Sequence, residues 1–462
     1  MLSEFSVENF YSINDEIALK FNFPSNRAHS FKQNVIFEYN NPNKRCILNG
    51  GIIFGPNASG KSNILKALKY LKLFVDSSYK FDEYDDIMIN LEPFKFNKKK
   101  LTKFKIEVIF DDYIKNYDDY IKSYKESIIT NETIGTIEKK SYIVNYELFL
   151  DSKNMTIENE QLSYREIMKT KVGKTTTLFK RTNDEIIDNA SGINEIRRKV
   201  EMDNITYKSL LSLIINDINR KYFKEEVENF EYRLIKKFYM DFFRNIYFSR
   251  DNVSENFVRE LNENEKYRKY ILKNLRKFDF AIKDFEIEDI TSDVINTLIS
   301  EETSDDFKKF IEHSLKANRR YRTSAIHYVN KEKYEIPLTS ESDGTQKFLN
   351  QSYSMYEALL KDGLFVVDEF ESAYHHKIQE GIVNNFINQN GKAQFLIVSH
   401  NSLLLNKELF AKEQIIFTEK NRKKESTKIK YLSDFEDITY NNHNWVSLYY
   451  DGRFGATPEV IF

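Results

Sequence analysis

At 462 residues, with 41% hydrophobic and 15% aromatic side chains, the chain can build two or three domains with real cores, which excludes intrinsic disorder. Lys and Arg number 69 against 71 Asp and Glu, a net charge of −2, which excludes a uniformly basic nucleic-acid binder and an acidic tail. The single cysteine, Cys46, excludes an intramolecular disulfide and fits a reducing cytoplasm, and no apolar run approaches the ~20 residues that span a bilayer.

In chain order, residues 1–205 read as mixed α/β. "MLSEFSVENFYS" lacks the basic start and apolar core of a signal peptide. "SEFSVENF" and "EIALKFNF" alternate like half-buried strands. "GGIIFG" (Gly50 to Gly55) is a short apolar run of the kind expected of a strand buried on both faces. A helix is predicted next, with Ile64, Leu65, Leu68 and Leu71 on one face and Lys66, Lys69 and Lys72 opposite. Strands are expected in "KFKIEVIF", "YIVNYELFL" and "TTTLFKR".

From Thr206 the period becomes helical. Leu211, Ile215, Ile218 and Tyr222 keep helical spacing, as do Val227, Phe230, Leu234 and Phe238. Residues 206–330 are read as a mostly helical insertion, either a lid or a short arm. Over 331–462 α/β character returns. "LFVV" (Leu364 to Val367) and "FLIV" (Phe395 to Val398) are two more buried-strand runs, each ending in polar residues where parallel sheets bind ligands.

"FGPNASGKSN" fits G-x-x-x-x-G-K-[ST] at Gly55, Gly60, Lys61 and Ser62, between a buried strand and an amphipathic helix. Gly55 and Gly60 let the backbone curl so that N–H groups from Asn57, Ala58, Ser59 and Asn63 surround phosphate, while Pro56, which has no N–H, supplies only its fixed turn. Lys61 is placed to reach the β- and γ-phosphates of a nucleotide, and Ser62 to ligate Mg2+. "LFVVDEFES" puts Asp368 and Glu369 at the end of a buried strand. Asp368 is the expected metal carboxylate and Glu369 the base for the attacking water. "FLIVSHN" puts His400 at the end of another, in reach of a γ-phosphate. A solvated acidic turn and a structural histidine are the plainer readings of these two segments.

The three motifs, in this order, resemble the ABC-type ATPase head, an α/β fold with a mixed β lobe and a parallel-sheet P-loop core. "DEFESAYHHKI" resembles the Walker B and D-loop segment of one branch, the OLD/SMC-like ATPases of bacterial anti-phage systems, such as the abortive-infection AbiL and RloA types and the PARIS ATPase. Ser372 and His375 match that branch, while Tyr374 and His376 replace its Leu and Pro. "SEFSVENFYSINDE" resembles its opening strand, and "LYYDGRFGATP" (Leu448 to Pro458) its carboxyl-terminal segment. Within such heads a signature loop precedes Walker B, and "ESDGTQKFL" occupies that place with Ser342 and Gly344 matching Ser-x-Gly. A helix cap with a turn glycine is the alternative for this pair.

The resemblance implies a homodimer or higher homo-oligomer in which the signature of one copy completes the ATP site of another. It also implies control of a separately encoded effector, such as a nuclease, in anti-phage defence. A second hypothesis is an SMC-like DNA-binding ATPase that contacts DNA through Arg319, Arg320 and Arg322; for that cluster, as for the basic run Asn421 to Lys430, a solvated face is the plainer reading. A transporter subunit is disfavoured by the large insertions between phosphate loop and signature, and no membrane partner is expected. No appended nuclease domain is expected in the roughly sixty residues after His400.

Overall fold

The structure, a computed structural model, describes residues 1–25, 32–39, 44–80, 91–96, 101–114, 138–182, 185–188, 194–202, 205–220, 230–249, 255–299, 304–317, 319–372, 374–421, 423–440 and 443–457. The chain opens with β1 (Leu2–Glu8), β2 (Ile17–Lys20), β3 (Asn22–Pro24), β4 (Val35–Glu38), β5 (Arg45–Leu48) and β6 (Gly50–Phe54), then α1 (Lys61–Ser77). Next come β7 (Thr102–Ile114), β8 (Glu138–Asp151), β9 (Thr156–Ile167), β10 (Thr176–Thr182) and β11 (Ile186–Asp188). Helices α2 (Asn194–Met202), α3 (Leu210–Arg220) and α4 (Phe230–Lys237) lead to β12 (Ile246–Phe248). Then follow α5 (Glu255–Glu263), α6 (Glu265–Lys277), β13 (Asp284–Asp289), α7 (Thr291–Leu298), α8 (Asp305–Ala317), β14 (Tyr321–Val329) and β15 (Glu332–Pro337). The chain closes with α9 (Asp343–Leu360), β16 (Leu364–Val367), α10 (His376–Ile387), β17 (Gln394–Val398), β18 (Ile415–Asn421), β19 (Ser426–Tyr431) and α11 (Trp445–Tyr450).

Two compact units form. Met1–Tyr247, Ala358–Phe370 and Ile382–Phe462 make the first; Phe248–Glu357 and Glu371–Gly381 make the second. The first holds a six-stranded sheet in the order β12-β16-β17-β6-β18-β19. Strands β16, β17, β6 and β18 run parallel, and β19 returns antiparallel on β18. Every residue of β6, β16 and β17 is buried, as their unbroken apolar runs require for strands covered on both faces. A seven-stranded antiparallel sheet, β11-β10-β9-β8-β7-β1-β2, forms the β lobe of the same unit, beside a small β3-β5-β4 sheet. The fold is thus α/β, with a β lobe and a parallel P-loop core.

The buried amide of Gln394 ties the lobe to the core. Its Nε2 donates to the carbonyls of Leu2 and Leu48 (3.0 Å each), and its Oε1 accepts from the Leu2 N–H (2.6 Å). These bonds satisfy backbone groups that would otherwise be buried without partners. Helix α1 buries Ile64, Leu65, Leu68 and Leu71 together with Phe74 and Val75, and exposes Lys66 and Lys69.

The expected helical stretch 206–330 holds α3 to α8 and also the strands β12, β13 and β14. It is shared between the units because α3 buries Leu210, Leu211 and Ile214 in the first. Tyr222 and Val227, used in reading that stretch, lie outside the described residues. In the second unit, β13-β14-β15 form an antiparallel meander. There α6 buries Tyr267, Ile271 and Leu275, and the Tyr267 hydroxyl bonds Ser352 Oγ of α9 at 2.8 Å.

Candidate phosphate-binding site

Strand β6 ends at Phe54, and the six residues from Gly55 to Gly60 turn the chain into α1. Gly60 is the N-cap residue at φ 98°, a backbone angle that L side chains rarely adopt, and Ala58 stands at φ 60° on the exposed apex beside Asn57. A Cβ on Gly60 would lie 1.9 Å from Thr427 Oγ1, and one on Gly55 2.2 Å from Thr418 Oγ1. Both motif glycines are therefore demanded by contacts from a distant hairpin, in addition to any ligand. The first turn of α1 contains no acidic side chain, so its free N–H groups and dipole present an uncompensated positive end. Ser62 is half-buried there, with Asn63 beside it.

Lys61 is buried (5% exposed), and its Nζ donates to the carbonyls of Gly55 and Pro56 at 2.9 Å each. The ammonium is thus folded over the loop, where a phosphate would offer it charged acceptors in exchange for neutral ones.

Strand order and register place the other predicted groups. Strand β17 pairs with both β16 and β6, so Val367, Ile397 and Ile52 are level across the three strands. At about 4.8 Å per strand, the carboxyl end of β16 lies about 10 Å from that of β6. Asp368 and Glu369 follow β16 directly, and both are exposed. Glu369 has φ 48°, and its N–H is bonded by Asp368 Oδ1 at 3.0 Å. This left-handed residue turns the chain sharply back, so that the Phe370 N–H reaches the Val398 carbonyl at 3.0 Å. His400, two residues past β17, is exposed at the same edge. The phosphate loop, the acidic pair and His400 are brought to one edge of one sheet.

Ser342 and Gly344 belong to the second unit. Helix α9 begins at Asp343, two residues before the helix start expected at Thr345, so Gly344 sits in its first turn. The earlier start follows from a side-chain cap: Ser342 Oγ accepts from the Thr345 N–H (3.3 Å) and bonds Thr345 Oγ1 (2.8 Å). Ser342 itself is exposed.

Phe10 is core, whereas Tyr11 is exposed at φ 48° with Lys66 Nζ 5.2 Å from its ring. In "GRFG", Gly452 and Gly455 have φ 73° and 70°, and the turn drives Phe454 into the core, stacked on Phe417 at 4.5 Å. Arg453 pairs with Asp437 at 2.8 Å, and Pro458, the end of that motif, lies outside the described residues. Arg319 and Arg322 pair with Asp289 and Glu288. Among the described residues no three His, Cys, Asp or Glu side chains cluster as a metal site, so a cation here would rely on ligand oxygens as well as protein ones. Among the described residues, no helix is long and apolar enough to cross a membrane.

The hydroxyls of Thr418 and Thr427 escaped the sequence reading. Nothing local marks them: they are ordinary strand threonines more than 350 positions from the loop they touch.

No curated protein matches the chain. It is similar to three solved heads of SMC proteins. The "SMC head domain from Thermotoga maritima" is 12% identical, with 93% of this chain and 98% of that chain covered, at a TM-score of 0.35. An SmcHead bound to the C-winged helix domain of ScpA is 13% identical, with 93% and 97% covered, at 0.35. An Smc head with an extended coiled coil, bound to the C-terminal domain of ScpA derived from Pyrococcus furiosus, is 10% identical, with 93% and 96% covered, at 0.33. A family model matches residues 52–406, well over half the chain and the whole stretch from the phosphate loop to His400. The chain belongs to that family, described as "AAA domain, putative AbiEii toxin, Type IV TA system".

Proposed function

We propose that the chain is an ABC-type ATPase head: it binds ATP with Mg2+, pairs with a second copy around two nucleotides, and reopens on hydrolysis. The observation that carries this reading is the sheet edge itself. There β6, β17 and β16, adjacent and parallel, end in the phosphate loop, His400 and the Asp368–Glu369 pair. In this reading Lys61 leaves the Gly55 and Pro56 carbonyls for β- and γ-phosphate oxygens. Ser62 Oγ and the Asp368 carboxylate are hard oxygen donors that suit Mg2+, which when bound neutralises phosphate charge. Glu369 orients the attacking water and takes its proton, and His400 donates to the γ-phosphate.

Ser342 and Gly344, at the start of α9, complete the site of a second copy, a C2 arrangement in which each copy gives one loop and one signature. The resemblance to anti-phage ATPases and the toxin named in the family description support an output passed to a separately encoded effector, such as a nuclease, in the cytoplasm during infection. The test is the oligomeric state of Glu369→Gln with Mg-ATP. It should bind nucleotide and become dimeric or larger; a protein that binds ATP yet stays monomeric contradicts the pairing, and one that does not bind contradicts the site.

One observation favours a second reading, a DNA-binding ATPase. Helix α6 exposes Lys266, Lys269, Lys273, Arg276 and Lys277 on its solvent side, a local cationic face on a chain of net charge −2. That reading requires salt-dependent duplex binding that is lost in Lys273→Glu/Arg276→Glu.

A further inference from the structure

We propose that the hydroxyls of Thr427 and Ser12 are positioning groups for the phosphate loop, because they fix the orientation of the Ser59–Gly60 peptide. Thr427 Oγ1 donates to the Ser59 carbonyl at 2.9 Å. Its single proton is spent there, so in its 2.7 Å bond with Ser12 it accepts. Ser12 therefore donates to Thr427, and accepts from Asn63 Nδ2 at 2.8 Å. The result is a relay with one direction, from Asn63 in the first turn of α1, through the β1–β2 connection and β19, back to the loop.

A matching arm holds the other side of the same residue. Thr418 Oγ1 donates to the Phe54 carbonyl at 3.2 Å, so Ser59 Oγ donates to Thr418 in their 2.6 Å bond. Ser59 is thus held by its side chain from β18 and by its carbonyl from β19, and it is 1% exposed.

The consequence follows from peptide geometry. No cis bond occurs among the described residues, and across a trans peptide the C=O and N–H point in opposite directions. With the Ser59 carbonyl held by Thr427, the Gly60 N–H points away from Thr427, an orientation in which it can serve a phosphate bound in the loop. Gly60 is also packed against both relay hydroxyls, its Cβ position lying 1.9 Å from Thr427 Oγ1 and 2.7 Å from Ser12 Oγ. Thr427 and Ser12 are joined once more through their backbones, Thr427 N–H to the Ser12 carbonyl at 2.8 Å. Removing the hydroxyl alone therefore leaves the two segments tied.

This inference rests on the nucleotide reading of the loop. The test measures the Kd of a fluorescent ATP analogue with Mg2+ for wild type, Thr427→Val, Thr427→Ser and Ser12→Ala, with the thermal midpoint of each. Thr427→Val should bind about ten-fold more weakly and Thr427→Ser within about two-fold of wild type, at similar midpoints. A Thr427→Val that binds like wild type, or a Thr427→Ser as weak as Thr427→Val, overturns the positioning role alone. If Thr427→Val unfolds, Ser12→Ala carries the same expectation and the same refutation. Wild type that fails to bind the analogue overturns the nucleotide reading, and the positioning role falls with it.

Discussion

Thr427 and Ser59 are 368 positions apart in the chain, yet the threonine hydroxyl donates to the serine carbonyl at 2.9 Å. The phosphate loop is therefore no local turn. Its shape depends on a hairpin that the chain makes only after it has passed through both compact units. Gly60 stands where this matters most, because its φ of 98° and its contact with Thr427 each exclude a side chain. Gly60→Ala is expected to cost about 1–3 kcal/mol of stability and to weaken ATP-analogue binding at least ten-fold. Chemical denaturation and a binding titration check both halves. Wild-type affinity in Gly60→Ala would show that the loop relaxes without loss of function.

Ser342 and Gly344 serve α9 as cap and first-turn residue, which is enough to explain them within one chain. Their proposed role in a second copy makes a separate prediction. Ser342→Arg and Gly344→Asp should leave ATP-analogue binding by a single chain within about two- to three-fold, while abolishing ATP-dependent pairing on the Glu369→Gln background. Light scattering with and without Mg-ATP reads this. Pairing that survives both substitutions reduces the segment to a helix cap.

Glu160 of β9 is fully buried and accepts four hydrogen bonds: from the Tyr146 hydroxyl (2.9 Å), Ser209 Oγ (2.7 Å) and the N–H groups of Leu210 (2.6 Å) and Leu211 (3.0 Å). It satisfies the start of α3 from outside the helix and lies on its favourable dipole end. Glu160→Gln puts an amide donor against one of these donors, whichever way the amide turns. A loss of about 2–3 kcal/mol is expected, seen as a lower urea midpoint. An unchanged midpoint would mean that α3 holds its place by apolar packing alone.

Cys46 is fully buried in β5, and burial pushes its thiol up to about 11. At pH 8 only about a thousandth of such a thiol is thiolate, against about a quarter of an unperturbed one. A thiol reagent should therefore label the native protein very slowly and the unfolded protein rapidly. As the only cysteine of the chain, it reports opening of the β3-β5-β4 sheet without engineering. Fast labelling at pH 8 in native buffer would show that this sheet opens readily.

What was legible in the sequence had a short range. The three buried runs at β6, β16 and β17 announce themselves because a strand covered on both faces must be apolar throughout. The loop at Gly55 to Ser62 is a fixed spacing between two such recognisable elements. The strand order that sets β16, β17 and β6 side by side is carried by long-range pairing and by buried amides such as Gln394, whose role no local pattern displays. Strands β13 and β15 are hard to read in the sequence for a related reason. "DFEIED" and "EKYEIP" are too charged to read as strands, and β15 is exposed along almost its whole length. The turn at Gly452 to Gly455 likewise answers to long-range packing, since it places Phe454 in the core against Phe417.

In the proposed reading the loop after β6 and the carboxylate after β16 act together on one ATP. Steady-state ATP hydrolysis by wild type, Lys61→Ala and Glu369→Gln tests it most directly. Mg2+-dependent turnover is expected of wild type and a fall of at least about a hundred-fold in each variant, with Glu369→Gln still binding the ATP analogue. Turnover at the wild-type rate in Lys61→Ala, or none in wild type under conditions where it binds ATP, would contradict it.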